Sequence, residues 1–205
     1  MYGWAPPALS LGFHQDEAAV DREALVRSGY DLVRRPTGGA AVLHVDEITY
    51  SVTAGLGQTP LGRAVLEIHG GVARALAAAF RSVGFDVQFG GDGVPRDFAC
   101  FSGAGGHEMT LAGRKLVGSA LRRGRRAFLQ HGSVLRSERH LELCSFMAGT
   151  AEEDREVARA ELERRTCLVE DLEAERFAAA LAAALGRECG LATERVDRFE
   201  ALLAH

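Results

Sequence analysis

An apolar stripe of helical spacing between residues 65 and 83 constrains the fold of this chain more than any other feature. Its members recur every three or four positions, at Val65, Ile68, Val72, Leu76, Ala79, Phe80 and Val83. Thr59 and Pro60 provide an N-cap and a proline at the first helical position, and Gly84 provides a C-terminal stop. These signals predict one long amphipathic helix, whose apolar face requires a sheet to cover it.

Short runs typical of strands lie on both sides of that helix. Those before it are at 8–12, 32–35, 41–44 and 48–54, with a short helix at 21–28. Those after it are a strand at 86–89, a hairpin over 108–121 and a strand at 128–135. We expect the runs between 32 and 54 to form a β-meander, and the chain from residue 137 to be helical. Strands first and helices later predict an α+β fold.

The composition bounds the class of protein. The chain has 205 residues, and its formal net charge of −4 argues against a protein that coats nucleic acid. It has no apolar run long enough to span a membrane and no signal-peptide pattern, so we expect a cytoplasmic protein with neither a membrane nor a nucleic-acid partner. The four cysteines show no CxxC spacing, which predicts free thiols and no metal site.

Almost all of the basic residues are arginines. Of the 24 lysines and arginines only Lys115 is a lysine. If a compositional bias replaces lysine by arginine wherever only a positive charge is needed, a remaining lysine marks a position that requires a compact point charge. The broad planar guanidinium of arginine does not fit such a tight site. Chance is the alternative explanation.

Two segments carry small residues in positions that suggest close approach of a ligand. Gly38 and Gly39 interrupt two strand-like runs, and their backbone N–H groups could face a carbonyl or a phosphate, although a plain hairpin turn explains them equally well. Gly118, Ser119 and Ala120 lie in a run of otherwise branched residues, so either a ligand or another backbone must pack against them.

A third segment contains a candidate nucleophile. Cys100 lies in a glycine-rich loop, where reactive groups are commonly displayed, whereas Cys144 and Cys189 fit small buried hydrophobic residues. Lys115 would supply the cation that lowers the pKa of a reactive thiol. His44 and His131 are candidates for proton transfer, but we favour hydrogen-bonded strand residues for both.

Five ordered motifs between residues 2 and 135 together resemble the lipoate-protein ligase and octanoyltransferase family. They are YGWAPPALSLG at 2–12, RRPTGG at 34–39 followed by His44, YS at 50–51, GRKLVGSA at 113–120 and LQHGS at 129–133. The resemblance implies a single biotin/lipoate ligase-like α+β catalytic domain over 1–205, with a mixed, mostly antiparallel sheet and packed helices. Residues 1–136 would hold most of the sheet and the long helix, and 137–205 would be helical.

The resemblance also assigns a site. The loop over 35–44 and the strand of Lys115 would wall a tunnel for an eight-carbon acyl chain, with Cys100 and Lys115 catalytic. The implied substrate-binding residues are Arg35, Thr37, Gly38, Gly39, His44, Gly118, Ser119, Ala120, His131 and Gly132.

Cys100-Phe101, followed by Glu108, is similar to the branch of the family that uses a cysteine nucleophile. That branch takes octanoyl groups from acyl carrier protein and transfers them to one lysine of a lipoyl domain, in glycine cleavage H protein or in the E2 subunit of a 2-oxoacid dehydrogenase. It requires no cofactor, because transfer between thioesters is nearly isoenergetic.

Two alternatives stay open. An ATP-dependent lipoate-protein ligase would act through lipoyl-AMP, with ATP and Mg²⁺ as cofactors and Cys100 incidental. An inactive or truncated member would serve as a binding module, with the arginines of 122–126 gripping RNA or an acidic partner. The chain departs from the family pattern at Ala40 and Leu121, and it begins almost inside the first motif, so we expect the family's N-terminal strand and helix to be missing.

Overall fold

A computed structural model describes residues 1–89 and 109–190. Its strands are β1 Ala8–Leu11, β2 Asp31–Arg34, β3 Val42–His44, β4 Ile48–Gly55, β5 Gln88–Phe89, β6 Met109–Leu111, β7 Arg114–Arg123 and β8 Ala127–Val134. Its α-helices are α1 Arg22–Arg27, α2 Val65–Ser82, α3 Glu152–Arg165 and α4 Ala174–Cys189, and 3₁₀ segments occupy Glu17–Ala19 and Glu138–Phe146. Cys100, Phe101 and Glu108 lie outside the described residues.

The strands form two sheets, which confirms the α+β class. A three-stranded sheet has the order β2-β1-β3, and a five-stranded sheet has the order β4-β8-β7-β6-β5. Within the described residues, β1 and β2 are the one parallel pair of strands, and α1 connects them. The remaining pairs are antiparallel.

The expected β-meander over 32–54 was wrong. β1 lies between β2 and β3, so those two strands do not pair, and β4 joins the larger sheet instead. Alternation of apolar and polar residues is a local property that reports a strand but not its partner. The predicted hairpin was right over its described residues, 109–121, because Ala112 and Gly113 adopt positive φ angles of 51° and 75° in the two-residue turn between β6 and β7.

The long helix was also predicted, but not its beginning. α2 starts at Val65, after an N-cap at Ala64, and not at Thr59. Gly62 has a φ of 87°, which no right-handed helix contains. The Glu67 carboxylate then accepts hydrogen bonds from the backbone N–H groups of Arg63 and Ala64 at 3.0 and 2.9 Å, so a side chain three residues inside the helix satisfies the free donors.

Two main cores hold the layers together, and a third, smallest cluster packs Leu162 of α3 against Val42, Leu135, Leu141 and Cys144. The larger one lies between the five-stranded sheet and the pair α2 and α4, where the rings of Phe80 and Phe177 are 4.4 Å apart. The smaller one packs the three-stranded sheet against α1 and the 3₁₀ segment Glu138–Phe146, through Leu9, Leu25 and Phe146 among others. No helix in the described ranges combines the length and apolar character needed to cross a membrane.

Candidate functional site

A cleft opens between the two sheets. Its empty space, counting the open mouth, is about 280 Å³. The residues that line it are Ser10, Arg35, Val42, His44, Gly118, Ser119, Ala120, His131, Gly132 and Ser133. Most of the predicted substrate-binding residues therefore come together in space, whereas Thr37, Gly38 and Gly39 flank the cleft without lining it.

The alternation of side chains along β4, β8 and β7 creates the cleft wall. Ile48, Val134 and Val117 occupy one row across these strands and belong to the larger core. The neighbouring rows carry small and polar residues on the opposite face, namely Thr49, Ser133 and Gly118, then Ser51, His131 and Ala120. One face of the sheet thus packs on helices, and the other carries small side chains that form the wall of the cleft.

Position 132 requires glycine because the Tyr50 ring lies over it. It pairs with Tyr50 on one side and Ser119 on the other, and the Tyr50 hydroxyl spans it to form a 2.7 Å hydrogen bond with the Ser119 hydroxyl. A Cβ atom at Gly132 would lie 2.6 Å from Cε1 of Tyr50 and 2.5 Å from the Gly118 carbonyl oxygen. Packing within the sheet therefore explains this glycine without a ligand.

Arg35 ties the glycine loop to β1. It is buried, and its Nη1 donates to the backbone carbonyl and the hydroxyl of Ser10 at 2.9 and 3.1 Å. Its Nη2 donates to the carbonyls of Gly38 and Ala40 at 2.9 and 2.6 Å. A planar guanidinium with several fixed donors is suited to hold two segments at once.

The glycine loop also requires close backbone contact. Gly39 has a φ of 92°, which a residue with a side chain rarely adopts. A Cβ atom at Gly12, just after β1, would lie 1.9 Å from the Gly39 carbonyl oxygen. Gly12 and Gly39 therefore permit the loop to fold against β1, which accounts for the second glycine of the motif on structural grounds.

His44 belongs to a buried chain of hydrogen bonds. Its Nε2 and the Ser10 hydroxyl are 2.8 Å apart, and its Nδ1 lies 2.6 Å from the Glu47 carboxylate, whose side chain is only 3% exposed. Trp4 stacks on the imidazole with the ring centroids 4.2 Å apart. Because a carboxylate only accepts, this geometry places a proton on Nδ1 of His44, and Nε2 faces the Ser10 hydroxyl and the cleft.

Sequence reasoning assigned no site role to three residues that contact His44: Trp4, Ser10 and Glu47. Glu47 carried a signal, since a carboxylate three residues after a histidine across a strand connection is within reach of its ring. Ser10 carried none, because it meets His44 only through the antiparallel pairing of β1 and β3.

His131 is held as a neutral imidazole. Its Nε2 and the Thr37 hydroxyl form a 2.6 Å hydrogen bond that links β8 to the glycine loop. Burial lowers the pKa of His131 to about 4, helped by the positive charges of Arg35 and of His44 when protonated. An imidazole with that pKa accepts protons poorly near neutral pH.

Lys115 is buried, with 2% exposure, three residues before Gly118 on β7. It pairs with Thr110 of β6, and its carbonyl accepts a 3.0 Å hydrogen bond from the backbone N–H of Cys167. It is not among the residues that line the cleft. A surface lysine could be replaced by arginine without loss, because only its charge matters there. Lys115 is buried and is therefore not such a residue.

The described cysteines are buried free thiols. Burial raises the pKa of Cys144, Cys167 and Cys189 above the ordinary thiol value, which keeps them protonated and poorly nucleophilic. This agrees with the sequence interpretation of Cys144 and Cys189 as small buried hydrophobic residues.

Comparisons with known proteins agree with this architecture. Residues 1–186 match the family model described as the lipoyl protein ligase A/B catalytic domain. A bi-partite lipoate protein ligase from Thermoplasma acidophilum, solved in a study that included its E2 lipoyl domain, superposes with a TM-score of 0.73 at 18% identity. That match covers 96% of this chain and 74% of the other, and at this identity it concerns the fold.

Relatives named octanoyltransferase LipM also match the sequence, two of them from Kyrpidia tusciae and Carboxydothermus hydrogenoformans. The protein from Kyrpidia tusciae is 42% identical over 144 residues, which cover 66% of this chain and 53% of the relative. The protein from Carboxydothermus hydrogenoformans is 31% identical over 182 residues, which cover 87% of this chain and 68% of the relative. The chain thus spans about half to two thirds of these relatives. By sequence and by fold it belongs to the lipoyl protein ligase A/B catalytic-domain family.

Proposed function

We propose that this protein transfers octanoyl groups in protein lipoylation, from a thioester on acyl carrier protein, through Cys100, to a lysine of a lipoyl domain. The single observation that carries the proposal is that relatives 31% to 42% identical to the chain are named octanoyltransferase LipM. The cleft between the sheets provides a wall of small residues for a medium-length acyl chain. The acceptor is a lipoyl domain such as glycine cleavage H protein or a 2-oxoacid dehydrogenase E2 subunit.

The reaction balances without a nucleotide. The Cys100 thiolate attacks the thioester carbonyl carbon and a new carbon–sulfur bond forms, while the bond to the carrier sulfur breaks and the carrier thiolate takes up the proton that Cys100 had lost. The acceptor amine then attacks the acyl-cysteine, an amide bond forms and the carbon–sulfur bond breaks. The proton lost by the amine balances the one regained by the cysteine sulfur. Lys115 stabilises the developing charge on the carbonyl oxygen or holds the thiolate.

Intact-mass analysis tests this function. We expect the protein mixed with octanoyl carrier protein to gain one octanoyl group that hydroxylamine removes, since hydroxylamine cleaves thioesters. Cys100→Ser should abolish this labile adduct and the transfer, whereas Cys144→Ser, which changes a buried thiol of raised pKa, should retain both.

The ligase alternative predicts a different result. Transfer from free octanoate that needs ATP and Mg²⁺, releases pyrophosphate and persists in Cys100→Ser would replace the transferase proposal. Full activity of Cys100→Ser with the carrier-protein donor would also overturn it.

A further inference from the structure

We propose that the arginine-rich end of the five-stranded sheet is the docking surface for the acidic carrier protein that delivers the acyl thioester. This inference rests on the proposed function and adds the surface that recognises the donor. The surface is here called the arginine patch and consists of Arg63, Arg122, Arg123, Arg125 and Arg126, all exposed.

The patch is positive although the whole chain is negative. Residues 48–66 and 109–137 contain no aspartate or glutamate, and they include the adjacent strands β4, β8 and β7. Across the described ranges, none of the five arginines lies within 4.0 Å of a carboxylate oxygen. The nearby Glu67 carboxylate accepts from the backbone N–H groups of Arg63 and Ala64, at the start of α2. The positive charge of the patch is therefore not neutralised by described carboxylates of this chain, and an acidic partner can interact with it.

Several other surface arginines are paired with neighbouring carboxylates. Arg27 pairs with Glu23, and Arg74 with Glu188, at 3.5 and 3.1 Å. Arg139 reaches both Asp46 and Glu142. Isolated arginines such as Arg114, Arg159 and Arg176 also lack a carboxylate partner among the described residues, so what distinguishes the patch is the clustering of five arginines on segments that contain no acidic residue.

The patch is continuous with the cleft mouth. The Arg122 guanidinium lies over the exposed Phe13 ring, 5.1 Å from its centroid, and its Nη1 donates to the Pro36 carbonyl at 2.8 Å. Phe13 follows β1, and Pro36 precedes Thr37, which bonds His131 in the cleft wall. Arg122 thus joins the patch to the rim of the site.

The distance along β7 favours the donor over the acceptor as occupant. Arg123 lies three residues beyond the cleft residue Ala120, about 10 Å along the strand at 3.4 Å per residue. A carrier protein presents its thioester on a long phosphopantetheine arm, so its acidic surface can contact the patch while the acyl group enters the cleft. An acceptor lysine has only a four-carbon stem, and its domain must sit at the cleft itself.

Part of the patch is fixed in position. The Arg123 Nε donates to the Arg63 carbonyl at 2.7 Å, which joins the hairpin end to the loop before α2. Arg125 and Arg126 do not line the cleft, so both can be changed without altering a cleft residue. They are therefore the residues to reverse in a test.

The test compares two donors on the full chain. In the double variant Arg125→Glu, Arg126→Glu, loading of Cys100 from octanoyl carrier protein should fall about tenfold or more in kcat/KM, because charge reversal slows association. Loading from octanoyl-pantetheine, a small uncharged donor, should stay within about twofold of wild type. Raising the salt from about 0.1 M to about 1 M should slow the wild-type reaction with the carrier protein and reduce the difference between the proteins.

A matched control carries the same change of charge elsewhere. Arg176→Glu, Arg187→Glu alters two exposed arginines of α4 that, like those of the patch, have no carboxylate oxygen of a described residue within 4.0 Å, and it should leave both reactions unchanged. Equal losses with both donors, or no loss with the carrier protein, would overturn the docking surface while leaving the transferase function standing. A variant that alters only the KM of the lipoyl domain, or only binding to RNA, would overturn it as well. No loading of wild-type protein from octanoyl-pantetheine would count against the proposed function instead.

Discussion

Lys115 is buried and is the only lysine in the chain. If it acts as a point charge at the acyl carbonyl, Lys115→Arg should behave almost like Lys115→Ala. Both should lower the rate by about 10²- to 10³-fold, the loss typical of one donor to a developing oxyanion. Steady-state rates measured beside melting curves separate this effect from unfolding. An arginine variant with a nearly wild-type rate would remove Lys115 from the catalytic residues.

His131 makes stability depend on pH. Its pKa is about 4 in the folded protein, against an ordinary value of 6.5, so between those two pH values the unfolded chain binds more protons. The free energy of unfolding should therefore fall as the pH drops from 6.5 toward 4. In His131→Gln this decline should be shallower in urea titrations across that range. His14→Gln, at an exposed residue, is the control, and equal slopes for His131→Gln and wild type would refute the assignment.

At the scale of elements, the close pairing of β4, β8 and β7 depends on Gly132. A methyl group there meets the Tyr50 ring at 2.6 Å and the Gly118 carbonyl oxygen at 2.5 Å. We expect Gly132→Ala to lower the free energy of unfolding by about 1–3 kcal/mol, as overpacking usually does. Urea denaturation measures this loss. Gly38→Ala is the matched control, because no atom lies within 4 Å of its added Cβ, and Gly132→Ala as stable as wild type would contradict the packing.

The elements also show which structure could be predicted from local patterns. The α2 stripe and the β6–β7 hairpin turn follow from periodicity and from turn residues, so both were predicted. The start of α2 was not, because it depends on the Glu67 side chain reaching backward and on Gly62 adopting a positive φ. The meander failed because strand partners are selected by burial and not by strand pattern.

For the whole molecule, the two cores should unfold together. Trp4, the only tryptophan, stacks on His44 beside the smaller sheet, whereas Phe177 is fully buried in the larger core. Phe177→Ala should cost about 3–5 kcal/mol. It should lower the melting temperatures from tryptophan fluorescence and from far-UV circular dichroism by equal amounts, as one cooperative unit requires.

Val157→Ala, at a residue that is 68% exposed on α3, serves as the control and should change neither melting temperature. A Phe177→Ala protein whose fluorescence transition stays in place while its dichroism transition moves would mean that the two cores unfold as separate units. The single-domain organisation expected from the sequence would then be wrong.

The sequence by itself determined the α+β class, the family and most of the residues at the cleft, because helical period, glycine turns and short motifs are local properties of the chain. Tertiary structure alone decided that β1 separates β2 from β3, that Ser10 and Glu47 complete the chain of hydrogen bonds around His44, and that the Tyr50 ring requires the glycine at 132. Each of these depends on atoms that meet only after distant segments have packed, and no local period specifies which distant segment that will be.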